Sequence, residues 1–145
     1  MSQNHARQPM VVTHEGGVRF AAQIRGHRLV VDQPAAGGGE DSAPMPLELL
    51  GASLGTCVAL YVQQFCQARG LPYEGMQVEV DAQGAQGRIG RFDLRVKLPE
   101  ALPPQYAQLL ERVARSCPAH NTLVHGSEVA VQIETAVGAA AADWE

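Results

Sequence analysis

Residues 49–68 carry no charged side chain, and this stretch constrains the chain more than any other. It follows Pro46, whose missing N–H costs nothing in the first turn of a helix. Gly70 and Pro72 stand beyond it, and both stop helices. The pattern predicts a helix from Pro46 to about Arg69, apolar on most of its faces through Val62. A helix apolar all round is central and buried. A bilayer span needs about 20 predominantly apolar residues. Here Gln63, Gln64 and Gln67 confine strong apolarity to Leu49–Val62, so the expectation is a buried helix in a soluble protein with no membrane role. Gly51 and Gly55 lie four apart, near Ala52, Ser53 and Ala59. Small residues at that spacing let another backbone approach, either within one chain or across a subunit interface.

Around this helix the period changes to two. Val18, Phe20, Ala22 and Ile24 alternate with more polar neighbours, as a half-buried strand requires. Met10–His14 reads as a strand before it and Arg28–Gln33 as one after it, with Gly26 and His27 at the turn. Residues 34–45 are rich in Gly and Pro and mark a loop. Met76–Ala82 and Phe92–Leu98 alternate on either side of Gly84, Gly87 and Gly90, a hairpin signature. Pro103 and Pro104 open a second helix. Its apolar residues Tyr106, Leu109, Leu110, Val113, Ala114 and Cys117 follow a one-faced helical spacing, and Pro118 ends or kinks it. Val129, Val131 and Ile133 read as a last strand. The order is βββ-α-ββ-α-β, an α+β fold of antiparallel sheets with two main helices. At 145 residues the chain has the length of one domain. That domain is expected over residues 10–135, with flexible tails at 1–9 and 136–145.

The cysteines carry the chemistry that the composition leaves open. A net charge of −4 gives no basic surface for nucleic acid. The three cysteines are too few for a secreted disulfide framework and fit a reducing cytoplasm. Cys57 and Cys66 lie nine residues apart on one helix, on opposite faces and about 13 Å apart along its axis, so they cannot pair. Cys57 and Cys117 both point toward the core from helices expected to pack together. A buried cysteine is most often an inert small hydrophobe, because burial disfavours the thiolate. Cys57 is too far from its helix start to feel the dipole, and Cys117, placed near a helix C-terminus, would be opposed by it. Reactivity then needs a cation from elsewhere, and Arg19, Arg25 and Arg28 on the first strands are the candidates. Cys117, His120 and His125 lack the paired spacing of a zinc site. Neither a metal nor another cofactor is expected. Glu111 and Arg115 form an i, i+4 pair on a solvated helix face.

Two stretches carry a resemblance: Pro46-Leu-Glu-Leu-Leu-Gly-Ala-Ser-Leu-Gly-Thr-Cys57 and Cys117-Pro-Ala-His-Asn-Thr-Leu123. Together they resemble the OsmC/Ohr family, named for osmotically inducible and organic hydroperoxide resistance proteins. The resemblance covers residues 10–135. The Cys-Pro-Ala-His-Asn-Thr segment is similar to the OsmC-like branch typified by the YhfA proteins. The resemblance implies an intertwined homodimer with active sites at the subunit interface. It also implies a thiol peroxidase that acts on organic hydroperoxides in oxidative-stress defence. Cys57 would be the peroxidatic thiol and Cys117 the resolving one. Their disulfide would be reduced by a dithiol of lipoyl type. In the Ohr branch a Glu ten residues before the first Cys pairs with an Arg. That position here is Leu47. Glu48, nine before Cys57, either serves from another angle or caps the first turn. Arg19, after Gly16-Gly17-Val18, is the nearest match to the Arg. The alternative reading is a non-catalytic protein of the same fold that binds a small ligand or senses redox state.

Overall fold

The computed structural model describes residues 8–136 and 138–140. The first seven residues of the expected amino-terminal tail lie outside the described residues.

Three antiparallel strands open the chain: β1 (Val11–His14), β2 (Phe20–Ile24) and β3 (His27–Val31), in the sheet order β1-β2-β3. Val11 pairs with Gln23 and Phe20 with Val31. The β2–β3 turn falls on Arg25 and Gly26, one residue earlier than expected, and Arg25 takes a left-handed φ of 55°. The β1–β2 turn needs Gly17, whose φ of 54° disfavours a side chain. Its neighbour Gly16 accepts the Arg19 N–H at 3.0 Å and closes the turn.

The helix α1 (Pro46–Ala68) runs nearly as predicted. Leu71 N–H reaches Cys66 O at 2.9 Å across the left-handed Gly70, which ends it. The expectation of burial on all faces is corrected. Leu54, Val58, Val62, Phe65 and Cys66 are buried, while Leu47, Leu50 and Leu60 are exposed at 52%, 39% and 50%. Among the described residues, one face of the helix is covered and the other is exposed.

The hairpin β4 (Gln77–Ala85) and β5 (Arg88–Lys97) follows, turning at the left-handed Gly87. Gly51 and Gly55 meet this hairpin. A Cβ on Gly51 would stand 3.7 Å from Val80 and Phe92, and one on Gly55 only 2.7 Å from Val80. Their small size therefore serves packing within the chain.

The second predicted helix is three pieces: a 3-10 turn (Pro104–Tyr106), α2 (Ala107–Ala114) and α3 (Pro118–His125). Proline drives the residue before it out of the helical region, and Cys117 has φ −66° and ψ 145°. The stripe that seemed to continue to Cys117 thus stops at α2, and a new helix starts. The last strand is also displaced. Residues 129–132 hold no strand, and β6 (Ile133–Thr135) pairs with β7 (Gly138–Ala140), within the stretch expected to be tail. Alternation marks a segment able to be a strand, but a ladder forms only where a partner strand is present.

The chain clusters into two compact units, Met1–Thr56 with Val78–Lys97, and Cys57–Gln77 with Leu98–Glu145. The boundary falls inside α1. In the second unit Phe65 stacks edge-on with Tyr106 at 5.9 Å, and the Arg69 guanidinium lies 3.8 Å above the Phe65 ring. The fold is α+β with antiparallel sheets, as the pattern predicted.

Candidate functional site

Cys57 and Cys117 come together within the second unit. α1 presents Cys57 half-buried, while Cys117 is fully buried. The two thiols are near enough for Cys57 to act electrostatically on Cys117, and neither is in a disulfide. Side chains on the Cys57 side of α1, Leu54 and Phe65, are buried at 4% each.

The surroundings of Cys117 differ from the expectation. It is the N-cap of α3, and its Sγ accepts the His120 N–H at 3.2 Å. A helix start exposes unsatisfied N–H groups and the positive end of the dipole. Sequence spacing had put Cys117 at a helix C-terminus, where the dipole opposes an anion, and Pro118 reverses that sign. Burial still dominates and pushes the Cys117 thiol up from its ordinary value. The His120 N–H pulls it down, the adjacent Cys57 thiol pushes it up again, and the Ala119 N–H pulls it down. The α3 start is pinned: Asn121 N–H donates to Cys117 O at 3.0 Å, and Asn121 Nδ2 donates to Ser116 O at 3.3 Å. His120 contributes its backbone to Cys117, while its ring Nδ1 stands 3.4 Å from Asn121 Oδ1. Among the described residues no group of three or more His, Cys, Asp or Glu is placed to hold a metal ion.

The third cysteine, Cys66, is fully buried, and burial raises its thiol while Arg69 partly offsets the rise.

Arg19 and Glu48 both lie in the first unit. Arg19 donates from Nη1 to Ser42 Oγ at 2.9 Å, and its Nε stands 3.8 Å from Glu15 Oε2. Glu48 Oε1 accepts the Met45 N–H at 2.9 Å. Of its two expected roles, the structure shows the cap on the first turn of α1. The other arginine candidates diverge. Arg28 pairs with Glu15, and Arg25 sits in the β2–β3 turn. The Glu111–Arg115 pair forms as expected, at 2.7 Å.

Sequence reading missed what holds Arg19. Asp32 is buried at 3% exposure and accepts from Gln33 N–H, Glu40 N–H, Ser42 N–H and Ser42 Oγ. These bonds hold its carboxyl well below the usual carboxylate range, the Ser42 hydroxyl contributing most. The loop passes so close that a Cβ on Gly39 would stand 2.0 Å from Gln33 O. A cavity of about 310 Å³ beside it is lined by Glu15, Arg19, Asp32, Glu40 and the nearby glycines. The available signal was an acidic residue entering a Gly-rich loop that returns to a serine.

A family model described as OsmC-like protein matches residues 38–132. No curated protein matches the chain by sequence. Among solved structures, a protein of Psychrobacter arcticus 273-4 ascribed to osmotic stress induction and the detoxification response aligns with a TM-score of 0.74. It is 20% identical, over 80% of this chain and 88% of the other. An OsmC-like protein from Mycoplasma pneumoniae aligns at a TM-score of 0.67 and 16% identity, over 86% and 89% of the two chains. An organic hydroperoxide resistance protein from Elizabethkingia anophelis, with crystallant-derived thiocyanate bound, aligns at 0.60 and 19%, over 80% and 88%. At these identities the structures establish a shared fold.

Proposed function

Because the chain belongs to the OsmC-like protein family, we propose that it is a thiol peroxidase that reduces organic hydroperoxides. The observation that carries this reading is a half-buried Cys57 beside a buried Cys117 at the start of α3. Structural neighbours named as organic hydroperoxide resistance proteins support it.

The Cys57 thiolate attacks the terminal peroxide oxygen. The O–O bond breaks, an alcohol leaves after protonation, and Cys57 becomes a sulfenic acid. The Cys117 sulfur then attacks the Cys57 sulfur and expels water, leaving a disulfide. A dithiol of lipoyl type restores both thiols by exchange. In this reading Arg19 is the cation that favours the thiolate. Glu48 acts as a positioning residue, through its cap on the helix that carries Cys57.

The protein works as a homodimer in this proposal. Leu47, Leu50 and Leu60 on α1, and Val11 and Val12 on β1, are exposed apolar side chains that a second copy would cover. Its setting is the cytoplasm, where thiols stay reduced.

The deciding experiment is intact mass and free-thiol count seconds after the reduced protein meets one equivalent of cumene hydroperoxide. Loss of two hydrogens, with a Cys57–Cys117 peptide on digestion, supports the peroxidase. An unchanged mass with three free thiols turns the reading toward a ligand-binding protein.

A further inference from the structure

The two sulfurs of the proposed disulfide are not equivalent. Cys57 is half-buried and reachable from outside, whereas Cys117 has 0% exposure. Of the two, Cys117 is the one whose Sγ accepts a backbone N–H, that of His120 at 3.2 Å, with the Ala119 N–H acting on it more weakly. Thiol–disulfide exchange depends on which sulfur an incoming thiolate can reach and on how well the other sulfur carries the departing charge. Access selects Cys57 as the sulfur attacked, and the N–H groups at the start of α3 partly offset the burial that opposes charge on Cys117. We infer that the reductant attacks Cys57 and that Cys117 is the leaving group, received by the N–H groups that open α3. This rests on the peroxidase reading and fixes the order of its reductive half.

The electrons balance as follows. One thiolate of the dithiol forms a bond to Cys57 Sγ, and the Cys57–Cys117 bond breaks with its electron pair on Cys117 Sγ. That thiolate accepts the His120 and Ala119 N–H groups until it takes a proton from the medium. The second thiol of the reductant, deprotonated, then attacks the reductant sulfur bound to Cys57. Cys57 leaves as a thiolate, ready for the next peroxide, and the reductant departs as its own disulfide. Peroxide and reductant therefore use one sulfur in turn.

The test uses the wild-type protein and a monothiol, so that the mixed disulfide accumulates. The disulfide is made with diamide, which needs no peroxidase activity, so failure of the peroxidase reading does not prevent the measurement. Glutathione is added, samples are quenched at intervals with excess N-ethylmaleimide, and digestion after Tyr61 separates Cys57 from Cys66. The expected early product carries glutathione on Cys57 and maleimide on Cys117, at least about tenfold over the reverse pattern. Glutathione on Cys117, an even division, a disulfide that glutathione does not open, or no Cys57–Cys117 disulfide with diamide would each overturn the inference.

Discussion

The His120 N–H donates to Cys117 Sγ at 3.2 Å, so the sulfur that seems to close one helix in fact opens another. The consequence is electrostatic. At a helix end a thiolate is opposed, and at a helix start it is met by unpaired donors. A buried sulfur at a helix start can carry negative charge briefly, as a resolving thiol must during exchange.

Replacement of the two cysteines separates their roles. Cys57→Ser is expected to lower peroxide consumption at least about 100-fold, a loss of roughly 2.7 kcal/mol in transition-state stabilisation. Cys117→Ser should retain one turnover and leave a Cys57 sulfenic acid that dimedone labels. Arg19→Ala should lower kcat/KM about tenfold with both thiols intact, as read in a peroxide-consumption assay.

The two glycines of α1 should respond with opposite sign. Gly51→Ala adds a Cβ at an ordinary 3.7 Å contact and gains helix propensity, so it should stabilise by up to about 1 kcal/mol. Gly55→Ala places its Cβ 2.7 Å from the Cγ2 of Val80, a stiff β-branched side chain. Overpacking costs about 1–3 kcal/mol and outweighs the propensity gain. Urea unfolding of the two variants beside the wild type reads the difference.

Acid stability should depend on Asp32. Its folded carboxyl titrates well below the ordinary value of 3.8, held down first by the Ser42 hydroxyl. A depressed carboxylate contributes stability that is complete above its unfolded value and is lost as pH falls through the folded one. The Asp32 contribution should therefore begin to fade below about pH 4 and disappear only in much stronger acid. Asp32→Asn should lower Tm by several degrees at pH 7, and the gap from wild type should narrow as the pH falls below 4. A constant gap across that range would contradict the assignment.

Alkaline stability should fall for the opposite reason. Burial raises the Cys66 and Cys117 thiols above their ordinary 9.0. A raised thiol contributes stability that is complete below its unfolded value and is lost as pH rises through the folded one. Tm should decline above about pH 9, and Cys66→Ala should flatten that decline. The same variant should keep peroxide consumption within about twofold, because Cys66 has no place in the proposed cycle.

Local signals reached far into this molecule. Pro46, the uncharged run and Gly70 determined α1, because helix caps and breakers act within a few residues. Period-two alternation determined β2, β4 and β5, since it is a property of the strand itself. The resemblance singled out Cys57 and Cys117, and in the structure the two free thiols are neighbours.

Tertiary structure decided what a linear pattern leaves degenerate. An apolar spacing that continues from Tyr106 to Cys117 describes one helix or two equally well. The backbone conformation at Cys117, set by Pro118, selects two and reverses the field on the sulfur. Which face of α1 is covered depends on what packs against it, so Leu54 is buried and Leu50 is not. Arg19 meets Ser42, 23 residues away, because the loop folds back around the Asp32 carboxylate. Periodicity records what one residue asks of its immediate neighbours. Partners distant in sequence are chosen only when the chain closes on itself.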